Sequence, residues 1–88
     1  MTDLPTERRH LAKAERDVAD GKARIMRQAD LVGRLRAEGR DVAQAEALLS
    51  TMRQSLEAWQ DHREEILRTI ARLESAPGEP VPVAPPTN

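Results

Sequence analysis

The chain has 88 residues, with 14 Lys or Arg against 15 Asp or Glu, a formal net charge of −1, and no Cys, Phe or Tyr. This length holds one small domain, and the lack of cysteine excludes a disulfide framework, a thiolate nucleophile and a cysteine-based zinc site. The balanced charge disfavours a general polyanion binder. Aromatic residues make up 1% of the chain, and its abundant Ala, Leu, Arg and Glu favour helices over a sheet.

The N-terminal segment shows no targeting signal. Residues 1–5 contain neither the basic segment nor the apolar segment of a secretory signal. No apolar run in the sequence approaches the roughly 20 residues that a membrane span needs. We therefore expect a cytoplasmic protein that does not enter a membrane.

The first predicted element is a helix over residues 6–38, preceded by a lead-in at 1–5. Thr6 is the predicted N-cap, because a threonine side chain accepts a bond from the free amides of a first turn. Asp3 with Pro5 behind it is an alternative start, since proline suits the first helical positions.

A short turn at 39–41 follows. Gly39 suits the C′ position, because glycine adopts the left-handed conformation without a Cβ penalty. Asp41 with Gln44 three residues later has the spacing of a capping box. A second helix is therefore predicted over 42–75.

A loop this short joins antiparallel helices, so the sequence predicts an all-α fold, a coiled-coil-like two-helix hairpin over 6–75. Apolar residues recur every seven positions in both helices, which is the pattern of a helix–helix seam. Folding the chain back at the turn pairs residues whose numbers sum to about 80. The predicted seam comprises Leu11, Val18, Gly21, Ile25, Val32, Leu35, Leu49, Met52, Leu56, Trp59, Ile66 and Ile70.

Trp59, the only aromatic residue, falls opposite Gly21 in this register. Glycine inside a helix costs about 1 kcal/mol, so we interpret Gly21 as a notch that accepts the indole; a glycine that is merely tolerated is the alternative. Arg63 and Gln28 are polar residues at seam positions, where one polar residue often fixes the register; a seam that loosens at these positions is the alternative.

Charge pairs are expected across the hairpin, because the first half of the chain is net positive and the second half net negative. Arg63 is expected to extend its guanidinium toward Glu15 or Asp17 while its stem packs in the seam. The other predicted pairs join Arg36 with Glu46 and Asp17 with His62.

A second line of small and apolar residues lies beside the seam and predicts an interaction surface. Small residues in a line let another helix approach closely, so we expect a homodimer that forms a four-helix bundle. Docking of another protein and a monomer with exposed alanines are the alternatives. The line comprises Ala12, Ala19, Ala23, Met26 and Gly33, and the predicted surface also includes Leu31 and Leu48, which fall on one flank near the turn, outside the seam.

The acidic residues around His62 offer the nearest approach to a metal site. Glu57, Asp61 and Glu65 share one helix face beside it. Bundle metal sites use inward-facing Glu-x-x-His, and that order is missing here, so we expect a solvated acidic face with no metal and no cofactor. Since no Ser/His/Asp constellation or phosphate-binding glycine loop can be built either, we expect no enzyme.

Residues 76–88 hold five of the six prolines and are predicted to be a disordered Pro-rich tail. Two P-x-x-P spacings, Pro77–Pro80 and Pro82–Pro85, are typical of docking ligands. A solubilising tail is the simpler interpretation.

Two stretches of the hairpin carry a resemblance. They read His10-Leu11-x-x-Ala14-Glu15-x-x-Val18-Ala19-x-Gly21 and Gly39-x-Asp41-Val42-x-x-Ala45-Glu46-x-Leu48-Leu49. These stretches resemble a group of short uncharacterised bacterial helical proteins, and the likeness covers about residues 10–70. It implies a bacterial helical hairpin and transfers no functional residue.

The sequence as a whole favours a non-catalytic hairpin that acts as a protein–protein interaction or oligomerisation module. The alternative is a small regulatory protein that binds a signalling protein or nucleic acid through its basic first helix. Nucleic acid is the weaker of these partners, because acidic residues interleave with the basic ones and no aromatic residues are available for base stacking.

Overall fold

The computed structural model describes residues 3–75, which form two helices, α1 over Leu4–Ala37 and α2 over Ala43–Glu74. Within this part of the chain 90% of residues are helical and none belongs to a strand. The two helices pack against each other as a hairpin, so the predicted all-α hairpin is confirmed. The predicted tail at 76–88 lies outside the described residues. Neither α1 nor α2 is apolar enough over a sufficient length to cross a membrane.

The start of α1 is set by Asp3, whose Oδ1 accepts a hydrogen bond from the Thr6 amide at 2.8 Å. Pro5 sits in the first turn, where its missing N–H leaves no bond unmade. The helix thus begins at Leu4, so the prediction of Thr6 as N-cap is wrong and the alternative start at Asp3 is right. The Thr6 hydroxyl instead accepts from the Arg9 guanidinium at 3.1 Å.

The Asp3 cap predicts an acid-sensitive helix start. The Thr6 amide holds the pKa of the Asp3 carboxyl below its usual value. Because the pKa of this carboxyl is lower in the folded chain than in the unfolded chain, the cap stabilises the fold fully at pH values above the unfolded-state pKa. This contribution is lost as the pH falls through the folded-state pKa. Asn caps a helix as well as Asp does and does not titrate in this range. In urea unfolding, wild type should therefore lose stability relative to Asp3→Asn below about pH 4, and a constant difference from pH 6 downward would contradict the cap.

The turn closes through Gly39, whose φ of +70° lies in the left-handed region. Its amide donates to the Arg36 carbonyl at 3.0 Å, and the Arg40 amide donates to the Leu35 carbonyl at 2.9 Å. These two bonds form a Schellman motif, which satisfies carbonyls at the end of the helix. Glu38 is the C-cap, so α1 ends one residue before the predicted boundary.

The start of α2 differs from the predicted capping box. Oδ1 of Asp41 accepts from the Ala43 amide at 2.9 Å, two residues along, which is the geometry of an Asx turn. Val42 therefore occupies the N-cap position, and no side chain caps the helix there. Because the Asp41 carboxylate accepts from the nearer Ala43 amide, it does not form the predicted capping-box bond with the Gln44 amide. The helix α2 therefore begins at Ala43. Its other end is Glu74, one residue short of the prediction, with Ser75 as C-cap.

The core is strongest at the open end of the hairpin. Ala14, Ile66 and Ile70 are buried together there, and Leu4 and Leu11 pack against them. Val32 and Leu49 form a second buried region near the turn. Between these two regions the large seam side chains of Ile25, Met52, Leu56 and Trp59 are only half-buried. Two helices alone leave the middle of their seam partly open, and the candidate site lies in that opening.

Candidate protein-interaction site

Gly21 and Trp59 meet at the centre of the hairpin. A Cβ placed on Gly21 would lie 3.2 Å and 3.3 Å from Cζ3 and Cε3 of the indole, and 3.4 Å from Cδ1 of Leu56. Contacts this close show that the indole lies directly on the glycine backbone. The predicted register, with Trp59 opposite Gly21, is confirmed, and the geometry agrees with a notch rather than a tolerated glycine.

The indole forms the floor of an open groove with a volume of about 330 Å³, named here the Trp59 groove. Side chains from both helices line it. The Arg24 guanidinium carbon lies 5.9 Å from the centre of the indole ring, a distance typical of a cation–π contact. Leu48, at the turn end of the groove, is 51% exposed. The other lining residues are Thr51, Met52 and Ser55.

The ion pairs that join α1 to α2 occupy the other flank of the hairpin. Arg8 Nη2 lies 2.8 Å from Oε2 of Glu74, and Arg36 binds Glu46 as predicted. Arg8 and Arg36 share one position of the α1 heptad, whereas Arg24 of the Trp59 groove occupies a different one. Each exposed pair contributes only a few tenths of a kcal/mol. Their effect is to place these cross-helix ion pairs on one flank of the hairpin, away from the Trp59 groove.

Arg63 extends from its seam position toward this charged flank. Its Nη2 lies 3.5 Å from Oε2 of Glu15, which was one of its two predicted partners. The other predicted partner, Asp17, instead holds the Lys13 ammonium at 2.8 Å. Within residues 3–75 Asp17 therefore forms no ion pair with His62, although both line a shallow cavity on the groove flank.

On the groove flank α2 presents a run of side chains without Lys, Arg, Asp or Glu, named here the uncharged strip. Leu48, Thr51 and Ser55 of this strip line the Trp59 groove. Small side chains at its centre would allow another helix to approach closely. The strip comprises Gln44, Leu48, Thr51, Ser55, Ala58 and His62.

The seven residues of the predicted interaction surface do not lie on one surface. Ala19 lines a cavity with Gln60 and Arg63 on the charged flank, whereas Leu48 lines the Trp59 groove. Ala12, Met26 and Gly33 share the heptad position of Ala19, and a Cβ on Gly33 meets nothing within 4 Å. Ala23 lines a third cavity, with Asp20, Arg24 and Arg27. Only Leu31 and Leu48 belong to the groove flank.

The predicted seam residues of both helices are buried or half-buried without exception. Gln28 adds a cross-helix bond, because its Nε2 donates to the Ala45 carbonyl at 3.0 Å. Glu7 and Ala14, which share the heptad position of Gly21 but are not among the predicted seam residues, are buried as well. The Glu7 carboxylate, the buried charged group within residues 3–75, lies 3.5 Å from Nδ1 of His10.

The acidic face around His62 points into solvent. Glu57, Asp61 and Glu65 are all exposed, and Glu65 accepts from the Arg68 guanidinium at 2.9 Å. In the described part of the chain no group of three His, Asp or Glu residues is placed to hold a metal ion. A comparison of the chain with protein-family models, curated proteins and solved structures finds no match.

Proposed function

We propose that the chain is a non-catalytic helical hairpin that works as a protein-interaction module, with the Trp59 groove and the uncharged strip as its binding surface. The observation that carries the proposal is the exposure of Leu48 beside the half-buried side chains of Met52 and Trp59. Tryptophan and methionine are enriched at protein interfaces, where a partner covers apolar surface that a small monomer cannot bury. That the module is bacterial rests on the sequence resemblance, and that it works in the cytoplasm rests on a composition with no cysteine and no apolar run long enough to span a membrane.

The alternative, a regulator that binds through basic α1, has less support. Arg8 and Arg36 are held by carboxylates of α2, and Lys13 and Arg34 by carboxylates one turn away in α1. A basic side chain already paired with a carboxylate must give up that partner to neutralise a phosphate or an acidic protein. The exposed apolar side chains of the Trp59 groove have no such competitor, and we therefore favour the groove and the uncharged strip as the binding surface.

The test compares Leu48→Glu with Met26→Glu, since these are the two large exposed apolar residues in the described chain. Wild type is expected to associate with protein, whether itself or a partner captured from a lysate of its native host. Leu48→Glu should weaken that association at least tenfold, because it places a charge in the groove. Met26→Glu lies outside the groove and should leave it unchanged.

Salt separates the two candidate functions. Apolar association should persist in about 0.5 M salt, whereas binding through phosphate contacts should collapse. The proposal fails if no association depends on Leu48. Binding that Leu48→Glu leaves intact and that salt abolishes would support the regulator that acts through α1.

A further inference from the structure

We propose that the occupant of the Trp59 groove is a second copy of this chain, so that two hairpins form an antiparallel four-helix bundle. A two-fold axis would cross α2 at right angles near residue 53, the middle of the uncharged strip. Leu48 of each copy then packs against the Trp59 groove of the other. This inference rests on the proposed function, because it names the partner of the same surface.

The uncharged strip is complementary to itself about its midpoint. A two-fold interface requires that if one residue contacts a second, the second also contacts the first. Leu48 and Trp59 lie on opposite sides of residue 53 at similar separations, so each copy offers an exposed leucine where the other offers a groove. Thr51 falls opposite Ser55, and two side chains this small allow the helix axes to approach to about 8 Å.

Charges on the same flank of α1 are complementary about the same axis. Because Gly21 lies opposite Trp59, an axis at residue 53 of α2 crosses α1 near residue 27. The axis brings Asp20 toward Arg34 of the second copy. The Arg34 guanidinium, whose Nε lies 3.2 Å from Asp30 Oδ2 of its own helix, has donors left for this second carboxylate. Residues 20 and 34 lie at equal distances on either side of residue 27, so the two-fold axis forms this pair twice in the dimer.

The alternative axis, parallel to the helices, is disfavoured by the same residues. It would lay the uncharged strip of each copy over α1 of the other. Asp20, Arg24 and Arg27 line that flank of α1 and would lose water against side chains that carry no charge. The perpendicular axis places uncharged side chains of α2 on one another and Asp20 near Arg34 of the second copy, at the cost of a like-charge approach between the two Arg27 side chains.

The size of the contact predicts a weak dimer. A strip from residue 44 to 62 is about 28 Å long at 1.5 Å per residue, and two helices are about 20 Å wide. The resulting footprint, roughly 550 Å² per copy, is below the 800 Å² of a typical stable interface. We therefore expect a dimer that dissociates in the micromolar range.

Sedimentation equilibrium of the full chain and its variants tests the partner. Wild type and Met26→Glu should dimerise, Leu48→Glu should stay monomeric, and Arg27→Gln should dimerise several-fold more tightly because the like charges on the axis are gone. Trp59 is the only tryptophan, so its emission should shift to the blue as wild type dimerises and should stay constant for Leu48→Glu. Circular dichroism confirms that each variant is as helical as wild type.

Spin labels test the axis, and the absence of native cysteine makes single labelling sites possible. Gln54→Cys and Arg68→Cys introduce labels at exposed positions that share one place in the α2 heptad. With the axis near residue 53, the two labels at 54 are displaced by only about 3 Å along the helix, whereas those at 68 are displaced by about 45 Å. An axis parallel to the helices gives similar separations at both sites.

The outcomes separate this inference from the proposed function. A short distance at 54, a long one at 68 and a dimer lost only in Leu48→Glu support it. Equal distances, or a dimer that Met26→Glu disrupts, overturn it. A chain that stays monomeric at millimolar concentration also overturns it, and the proposed function then stands only if another protein binds wild type and not Leu48→Glu.

Discussion

Replacing Gly21 with leucine is expected to lower the free energy of unfolding by about 2 kcal/mol, which corresponds to a fall of roughly 8–16 °C in Tm. A Cβ at this position would already lie 3.2 Å from the indole of Trp59 and 3.4 Å from Leu56. The further atoms of a leucine side chain have no space unless the indole leaves the seam. Thermal and urea unfolding of the Gly21→Leu variant, followed by circular dichroism, measure the loss.

Gly33→Leu is the matched control, because it makes the same change in the same helix at a position where a Cβ meets nothing within 4 Å. It should raise the free energy of unfolding by up to about 1 kcal/mol, the helix-propensity difference between the two residues. Gly21→Ala tests helix propensity and steric contact together. Alanine favours the helix, but its Cβ lies close to the indole of Trp59. Because the half-exposed indole can shift toward the groove, we expect little net change in the free energy of unfolding. If Gly21→Leu matched Gly33→Leu, the indole would not be seated on Gly21.

The heptad pattern predicted the hairpin register because burial in a two-helix seam depends on little besides spacing. Trp59 opposite Gly21 and Arg63 directed at Glu15 both follow from counting residues back from the turn. The helix ends were harder to predict, since neighbouring side chains compete for the same amides. Asp3 rather than Thr6 caps α1, and Asp41 bonds the nearer Ala43 amide instead of capping α2.

The interaction surface was beyond the reach of a helical wheel. A helical wheel places Met26 and Leu31 about 140° apart on α1, but it does not show on which side the second helix leaves a gap. That gap depends on cross-helix pairs such as Arg36 with Glu46, which occupy one flank, and on the depth of the contact between Trp59 and Gly21. Both are properties of the folded hairpin, and the groove is lined by side chains of both helices, so the pattern of one helix does not predict it.

The second large effect is expected at the open end of the hairpin, where Ile66→Ala should lower the free energy of unfolding by about 3 kcal/mol. Ile66 is only 4% exposed and is packed with Ala14 and Ile70. Truncation removes three carbon atoms from a cluster that already contains one alanine, so few neighbouring atoms can move in to fill the space. Urea unfolding at a protein concentration below the dimerisation range isolates the effect on the single hairpin.

Leu67→Ala is the control for this truncation, since Leu67 follows Ile66 in the chain but is only half-buried. It removes a side chain of the same size, and its cost should be about 1 kcal/mol, in proportion to the smaller area that it withdraws from water. Ile66→Val, which deletes a single methyl group, should cost about 1 kcal/mol as well. Equal losses for Ile66→Ala and Leu67→Ala would contradict a core concentrated at the open end, and stability would then have to come from the middle of the seam, where Leu56 and Trp59 remain half-exposed.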